Sequence, residues 1–276
     1  TLSLHDALPI SEGEQVEIYG AIAETISPQP LTIRVLDIGG DKPLPFLETT
    51  REEKTGELML GWRGIRVLLD CRDLFKTQLK AILRASYRHE IKILLPMVAS
   101  VLEVRAAKEI LAESKAELRE GGVAFKEEVP VGIMMEVPGA VAVADKLAKE
   151  VDFFSIGTND LSQYLMAADR GNSRVSYLAD GFEPAVLRSI KETVKAAGKV
   201  GISVSVCGEL ASEVLAVPIL LGLGVDELSV NGVSIPKVKA AISELKVSEA
   251  REFVEAVLEL DSAVEVREYV GKYSLN

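Results

Sequence analysis

Four arginines stand where an anion could reach them, in a chain whose formal net charge is −11. Arg34 lies inside the apolar run LTIRVLDIGGDK, Arg63 and Arg66 in GWRGIR, and Arg170 in AADRGN. An arginine within an apolar strand is costly unless an anion or a carboxylate neutralises it. Guanidinium groups match phosphate and carboxylate bidentately. For Arg34 a structural partner such as Asp37 or Asp41 is the competing reading. Two carboxylates follow β-like runs: Glu136 after VGIMM and Asp160 after FFSIGT-Asn159. Such a pair suits Mg²⁺, a hard ion that takes oxygen ligands and keeps several waters. With no histidine or cysteine in sequence beside them, zinc is the poorer fit. Asp160 could instead cap the helix that Asn159-Asp160 opens.

Cys207 closes the apolar run SVSV and precedes Gly208, so it stands at the end of a strand, either as an inert core thiol or as a group facing a site. Cys71, in LLDCRDL, reads as structural, as do the two histidines, His5 and His89. The Gly39-Gly40 pair and Gly157-Thr158-Asn159 offer backbone amides to an anion.

Something must hold these groups at neighbouring strand ends. Six short runs alternate with helical patterns: 31–38, 91–98, 131–137, 152–156, 201–206 and 227–230. Most are nearly continuous in apolar residues, as parallel strands buried on both faces are. Helical periodicity fills 73–88, 101–119, 140–150, 183–197, 212–221, 236–245 and 248–258. The order βαβα implies an α/β fold with a parallel sheet. No glycine-rich dinucleotide turn follows a strand, and polar residues gather after several different strands. That is the pattern of a (β/α)8 barrel, whose site forms at the C-terminal strand ends, with a doubly wound sheet as the competing architecture. A closed barrel has eight strands, so two are expected upstream of residue 1.

Composition narrows the classes further. The 276 residues are 48% hydrophobic and 26% charged, as in ordinary globular chains. The acidic balance argues against nucleic acid and anionic membrane surfaces as partners. The longest apolar run, 214–225, is broken by Pro218, Gly222 and Gly224 and falls short of the about 20 residues of a membrane span. Two distant cysteines form no disulfide or zinc pattern, which suits a reducing cytoplasm.

Taken together, RVLDIGGDK (34–42), LGWRGIR (60–66), LLPMV (94–98), GIMMEVPGA (132–140), DFFSIGTNDLSQY (152–164), AADRGN (167–172), CGELA (207–211) and SIPKVK (234–239) resemble enzyme I of the phosphoenolpyruvate-dependent sugar phosphotransferase system. The resemblance covers nearly all of residues 12–276 and implies its C-terminal phosphoenolpyruvate-binding (β/α) barrel, incomplete at the N-terminus. Residues 1–11 read as a non-family stretch and are expected to be a cloning or assembly scar. By position, the resemblance implies Glu136 and Asp160 as Mg²⁺ ligands and Arg34, Arg63, Asn159, Asp160 and Arg170 as substrate-binding residues. It also implies Cys207 as the proton donor to the enolate. The phosphoryl group would pass to a histidine on a separate N-terminal domain and on to the carrier protein HPr, leaving pyruvate. A cytoplasmic homodimer is expected. A pyruvate phosphate dikinase or phosphoenolpyruvate synthase fragment is the related alternative, and a non-catalytic dimerisation fragment the other.

Overall fold

The computed structural model describes residues 11–39 and 60–273. His5, Gly40, Asp41 and Lys42 lie outside them. The described residues divide into two compact units, one ending at Ile133 and the other starting at Met134.

The first unit opens with α1 (Glu12–Ile26). Its start is set by Ser11 and Glu14, which form a reciprocal capping box at the helix N-terminus. β1 (Leu31–Arg34) follows, then α2 (Ile65–Asp70), α3 (Arg72–Ala85), β2 (Ile91–Leu95), α4 (Val101–Glu120) and β3 (Val131–Met135), whose last two residues belong to the second unit. A second capping box, Ser100 with Glu103, starts α4. α3 buries Phe75, Leu79, Ile82 and Leu83 along one stripe, the spacing that makes it an amphipathic helix. β1 pairs with β2, and β2 with β3, in parallel register.

The second unit carries α5 (Pro138–Ala142), α6 (Ala144–Leu147), β4 (Phe153–Gly157), α7 (Thr158–Met166), α8 (Pro184–Gly198) and β5 (Ser203–Cys207). It continues with α9 (Glu209–Ser212), α10 (Val217–Leu223), β6 (Glu227–Leu228), α11 (Ile235–Ser243), α12 (Val247–Val257) and α13 (Ala263–Tyr273). β4 pairs with β5 and β5 with β6, again parallel. Within each unit the paired strands follow one another in chain order. This is the predicted α/β fold, with helices between successive parallel strands as in the barrel class.

Every predicted strand is present, and the long ones are shorter than their apolar runs. Val35, Leu36 and Ile38 are buried but lie beyond the end of β1 at Arg34. Val35 N–H still reaches Leu94 O at 3.0 Å, but Leu36 N–H turns to the Gln78 side chain, so the strand ladder stops while the hydrophobic signal runs on. The helix expected over 140–150 is broken into α5 and α6 at Val143, and the one expected over 212–221 begins as a 3₁₀ turn before α10. α2 and α13 carry no counterpart in the sequence expectation, and α9 overlaps an expected helix only at Ser212. Among the described residues, no helix is long and apolar enough to cross a membrane.

Candidate active site

In the first unit the chemistry gathers just after β1. Asp37 is fully buried. Arg63 donates to it with both arms of its fork, Nε to Oδ1 at 3.1 Å and Nη2 to Oδ2 at 3.0 Å. Arg34 Nη1 stands 3.9 Å from the same Oδ2. The carboxylate considered as a structural partner for Arg34 is thus present, and its tighter partner is Arg63. The approach depends on Gly39, whose φ of +103° is a conformation L side chains rarely adopt and whose added Cβ would stand 2.3 Å from Trp62 O. An isolated antiparallel bridge joins Gly39 to Arg63.

Behind Asp37 runs a buried polar chain. Leu36 N–H donates to Gln78 Oε1 at 3.0 Å, Gln78 Nε2 donates to Tyr19 Oη at 3.1 Å, and Tyr19 Oη donates to Gln15 Oε1 at 3.2 Å. Each buried polar atom in that chain has a partner, so the backbone leaving β1 is held firmly. Burial pushes the Tyr19 phenol up to about 12, opposed by the Gln78 hydrogen bond. Arg66 faces elsewhere, pairing with Glu103 at 3.2 Å and donating to Gly61 O at 2.9 Å.

In the second unit the other candidates come together at the ends of β3, β4 and β5. Glu136 is fully buried one residue beyond β3. Its carboxylate rests on Gly157, the last residue of β4: a Cβ added there would stand 2.8 Å from Glu136 Oε2. Gly157 pairs in register with Cys207 at the end of β5. α7 begins immediately after Gly157, which is its N-cap and forms no side-chain cap hydrogen bond. The capping role considered for Asp160 is therefore not its role. Asp160 sits in the first turn, 9% exposed, and accepts from Gln163 Nε2 at 3.3 Å.

The turns after β4 and β5 are stitched together. Thr158 Oγ1 donates to Cys207 O at 2.9 Å, and Glu209 N–H donates to Asn159 Oδ1 at 2.9 Å. Asn159 uses its oxygen as the acceptor there, and its Nδ2–H₂ group is the donor end of the same carboxamide. Gly208 makes this closeness possible: its φ is +98°, and a Cβ would meet Thr158 Oγ1 at 2.5 Å. Cys207 Sγ lies 3.3 Å from Ile156 O, to which it donates, and accepts from Ser155 Oγ at 3.6 Å. Arg170 and Asn159 line one cleft of about 430 Å³, together with Glu209 and Arg267. Arg267, from α13, ties the cleft wall together: it grips Asp180 at 3.0 and 3.2 Å, reaches Glu213 at 2.9 Å and stacks on Phe182 at 4.0 Å.

Cys71 and His89 take no part in either group. Cys71 joins α2 to α3, and its thiol is pushed up by burial and by the Asp70 charge, so it is a poor nucleophile. Gln163 and Thr158 were missed from the sequence. For Gln163 the signal was available: it stands three residues after Asp160 on a helix, a spacing that brings side chains together.

The chain matches the family described as "PEP-utilising enzyme, PEP-binding domain" over residues 2–247. It belongs to that family. It is 47% identical over 260 residues to a phosphoenolpyruvate-protein phosphotransferase of Priestia megaterium, covering 94% of this chain and 45% of the relative. Against the protein of the same name from Bacillus subtilis the identity is 46% over 265 residues, covering 96% and 46%. The chain thus spans about half the length of the curated relatives it matches. Among solved structures, a Haloferax volcanii malate synthase pyruvate/acetyl-CoA ternary complex aligns with a TM-score of 0.51 at 13% identity, over 85% of this chain and 56% of that one. That likeness concerns the fold.

Proposed function

We propose that this chain is the phosphoenolpyruvate- and Mg²⁺-binding part of a phosphoenolpyruvate-protein phosphotransferase, with residues 12–276 as the substrate-binding barrel portion. The observation that carries the reading is the meeting of a buried Glu136, the start of α7 with Asp160, and Cys207 around one glycine, Gly157. Names of relatives at 46–47% identity support the same substrate.

The donor set fits Mg²⁺. Glu136 and Asp160 supply hard oxygens from adjoining strand ends, and Mg²⁺ is usually held by one or two carboxylates plus substrate phosphate oxygens and waters. Among the described residues there is no group of three or more His, Cys, Asp or Glu side chains placed to hold a metal. A bound Mg²⁺ would neutralise charge on the transferring phosphoryl oxygens.

The chain's own residues do the rest. For the phosphate and carboxylate of phosphoenolpyruvate the first unit offers Arg34 and Arg63, and the second offers Asn159, Arg170 and the backbone at Asp160. The phosphoryl group leaves the enol oxygen as the P–O bond breaks, and the resulting enolate is protonated at its methylene carbon by Cys207 Sγ–H, giving pyruvate. The Ser155 hydroxyl, donating to Sγ, steadies the thiolate left behind. The acceptor is a histidine of an N-terminal domain in the whole protein, which hands the group to HPr as the first step of sugar uptake. The whole protein works as a cytoplasmic homodimer.

Titrating phosphoenolpyruvate calorimetrically into the folded chain, with and without Mg²⁺, tests this. Mg²⁺-dependent heat is expected, with affinity at least tenfold weaker in Arg170→Ala but still measurable. A folded chain that takes up no phosphoenolpyruvate with Mg²⁺ present overturns the reading.

A further inference from the structure

Arg170 is exposed and lies on a turn beyond the end of α7, an unpromising place from which to fix an anion. Within the turn, Gly171 N–H bonds Asp169 Oδ1 at 2.7 Å and Asn172 N–H bonds Asp169 O at 3.1 Å, both local. The ties back to the helix all run to one residue. Ala167, in the left-handed conformation at φ 51°, and Ala168 both direct their N–H groups to Gln163 O. Arg170 N–H donates to Gln163 Oε1 at 2.9 Å. The other end of the same carboxamide, Nε2, donates to Asp160 Oδ1 and to Asn159 O, each at 3.3 Å. Gln163 itself is 3% exposed, so these bonds are shielded from competing water.

We infer that Gln163 is the positioning residue of the site: one buried carboxamide fixes the Asp160 carboxylate at its donor end and the main chain of Arg170 at its acceptor end. The inference rests on the phosphoenolpyruvate reading above. Gln163 touches no substrate. It acts by pre-organising two groups that do, so that less freedom is lost when the anion binds. The amide is suited to the task because it is donor and acceptor at once. A carboxylate retains the acceptor end only, and a thioether of similar size retains neither.

Four chains test this by calorimetry with phosphoenolpyruvate and Mg²⁺: the unaltered chain, Gln163→Met, Arg170→Met and the double variant. Losing the Arg170 and Asp160 bonds should weaken Gln163→Met about tenfold. If Gln163 works through Arg170, the same substitution costs less than about threefold once Arg170 is gone, because the two effects are then coupled. A purely structural role would multiply through undiminished. The second readout is amide exchange at Arg170 by NMR, without ligand. Protection should vanish in Gln163→Met and persist in Gln163→Glu, which still accepts from that N–H. Gln163→Met binding within twofold of the unaltered chain, full multiplicativity in the double variant, or an Arg170 amide equally protected in Gln163→Met each overturn the inference while leaving the substrate reading intact. An unaltered chain that does not bind refutes the substrate reading and this inference with it.

Discussion

Replacing Gly157 with alanine is the most direct perturbation of the carboxylate pair. The backbone tolerates the change, since φ is −88° and ψ 85° at this residue. The difficulty is space. The new Cβ would stand 2.8 Å from Glu136 Oε2, 2.9 Å from Met134 Cε and 3.0 Å from Glu136 Cβ, whereas ordinary contact begins at 3.4 Å. Met134 Cε is the tip of a flexible chain and can yield. Glu136 is close at two atoms, so its whole side chain must shift, and burial on all sides leaves it little room. Overpacking of this kind costs about 1–3 kcal/mol of stability. The carboxylate moves by several tenths of an ångström, enough to disturb the proposed pairing of Glu136 and Asp160 on Mg²⁺. Phosphoenolpyruvate affinity in saturating Mg²⁺ should therefore fall at least tenfold, about 1.4 kcal/mol, by calorimetry, while circular dichroism shows a folded chain. Gly13→Ala is the control, with nothing within 4 Å of its Cβ. Unchanged affinity in a folded Gly157→Ala chain would mean that Glu136 has no part in binding, and the assignment of the metal pair fails.

Two further expectations concern the first unit. Arg63→Met removes the two-armed grip, at 3.0 and 3.1 Å, on the fully buried Asp37, and should lower unfolding stability by about 3 kcal/mol in urea titrations. A loss below 1 kcal/mol would show that Asp37 is satisfied without Arg63. Tyr19 holds its proton more tightly folded than unfolded, up to about 12 against an ordinary 10.0. Its contribution is whole below pH 10 and is lost as pH rises through 12, amounting to about 2–3 kcal/mol over that window. Tyr19→Phe, compared with the unaltered chain by denaturant titration from pH 9 to 12, should be less sensitive to that rise; parallel curves would refute the coupling.

The order of elements was legible in the chain itself, and so were the residue types from which a site could be proposed. Buried parallel strands must be apolar on both faces, so VGIMM, DFFSI and SVSV announce themselves, and a charged residue at the end of such a run stands out. Glu136, Asp160 and Cys207 were singled out as candidates in this way, and the chain around them matches the family over residues 2–247. Local patterns failed where packing decides. The break at Val143, the end of β1 at Arg34 and the helix α13 follow from which backbone groups find partners, and residues distant in sequence supply these. The same holds for the pairings. That Asp37 serves Arg63 across 26 residues, that Asn159 spends its oxygen on Glu209 50 residues away, and that Gly157 is a glycine because Glu136 lies against it are properties of neighbours in space. Sequence names the groups that carry charge and protons, because their chemistry is intrinsic. Their orientation is set by hydrogen bonds and contacts that exist only once the strand ends are brought side by side.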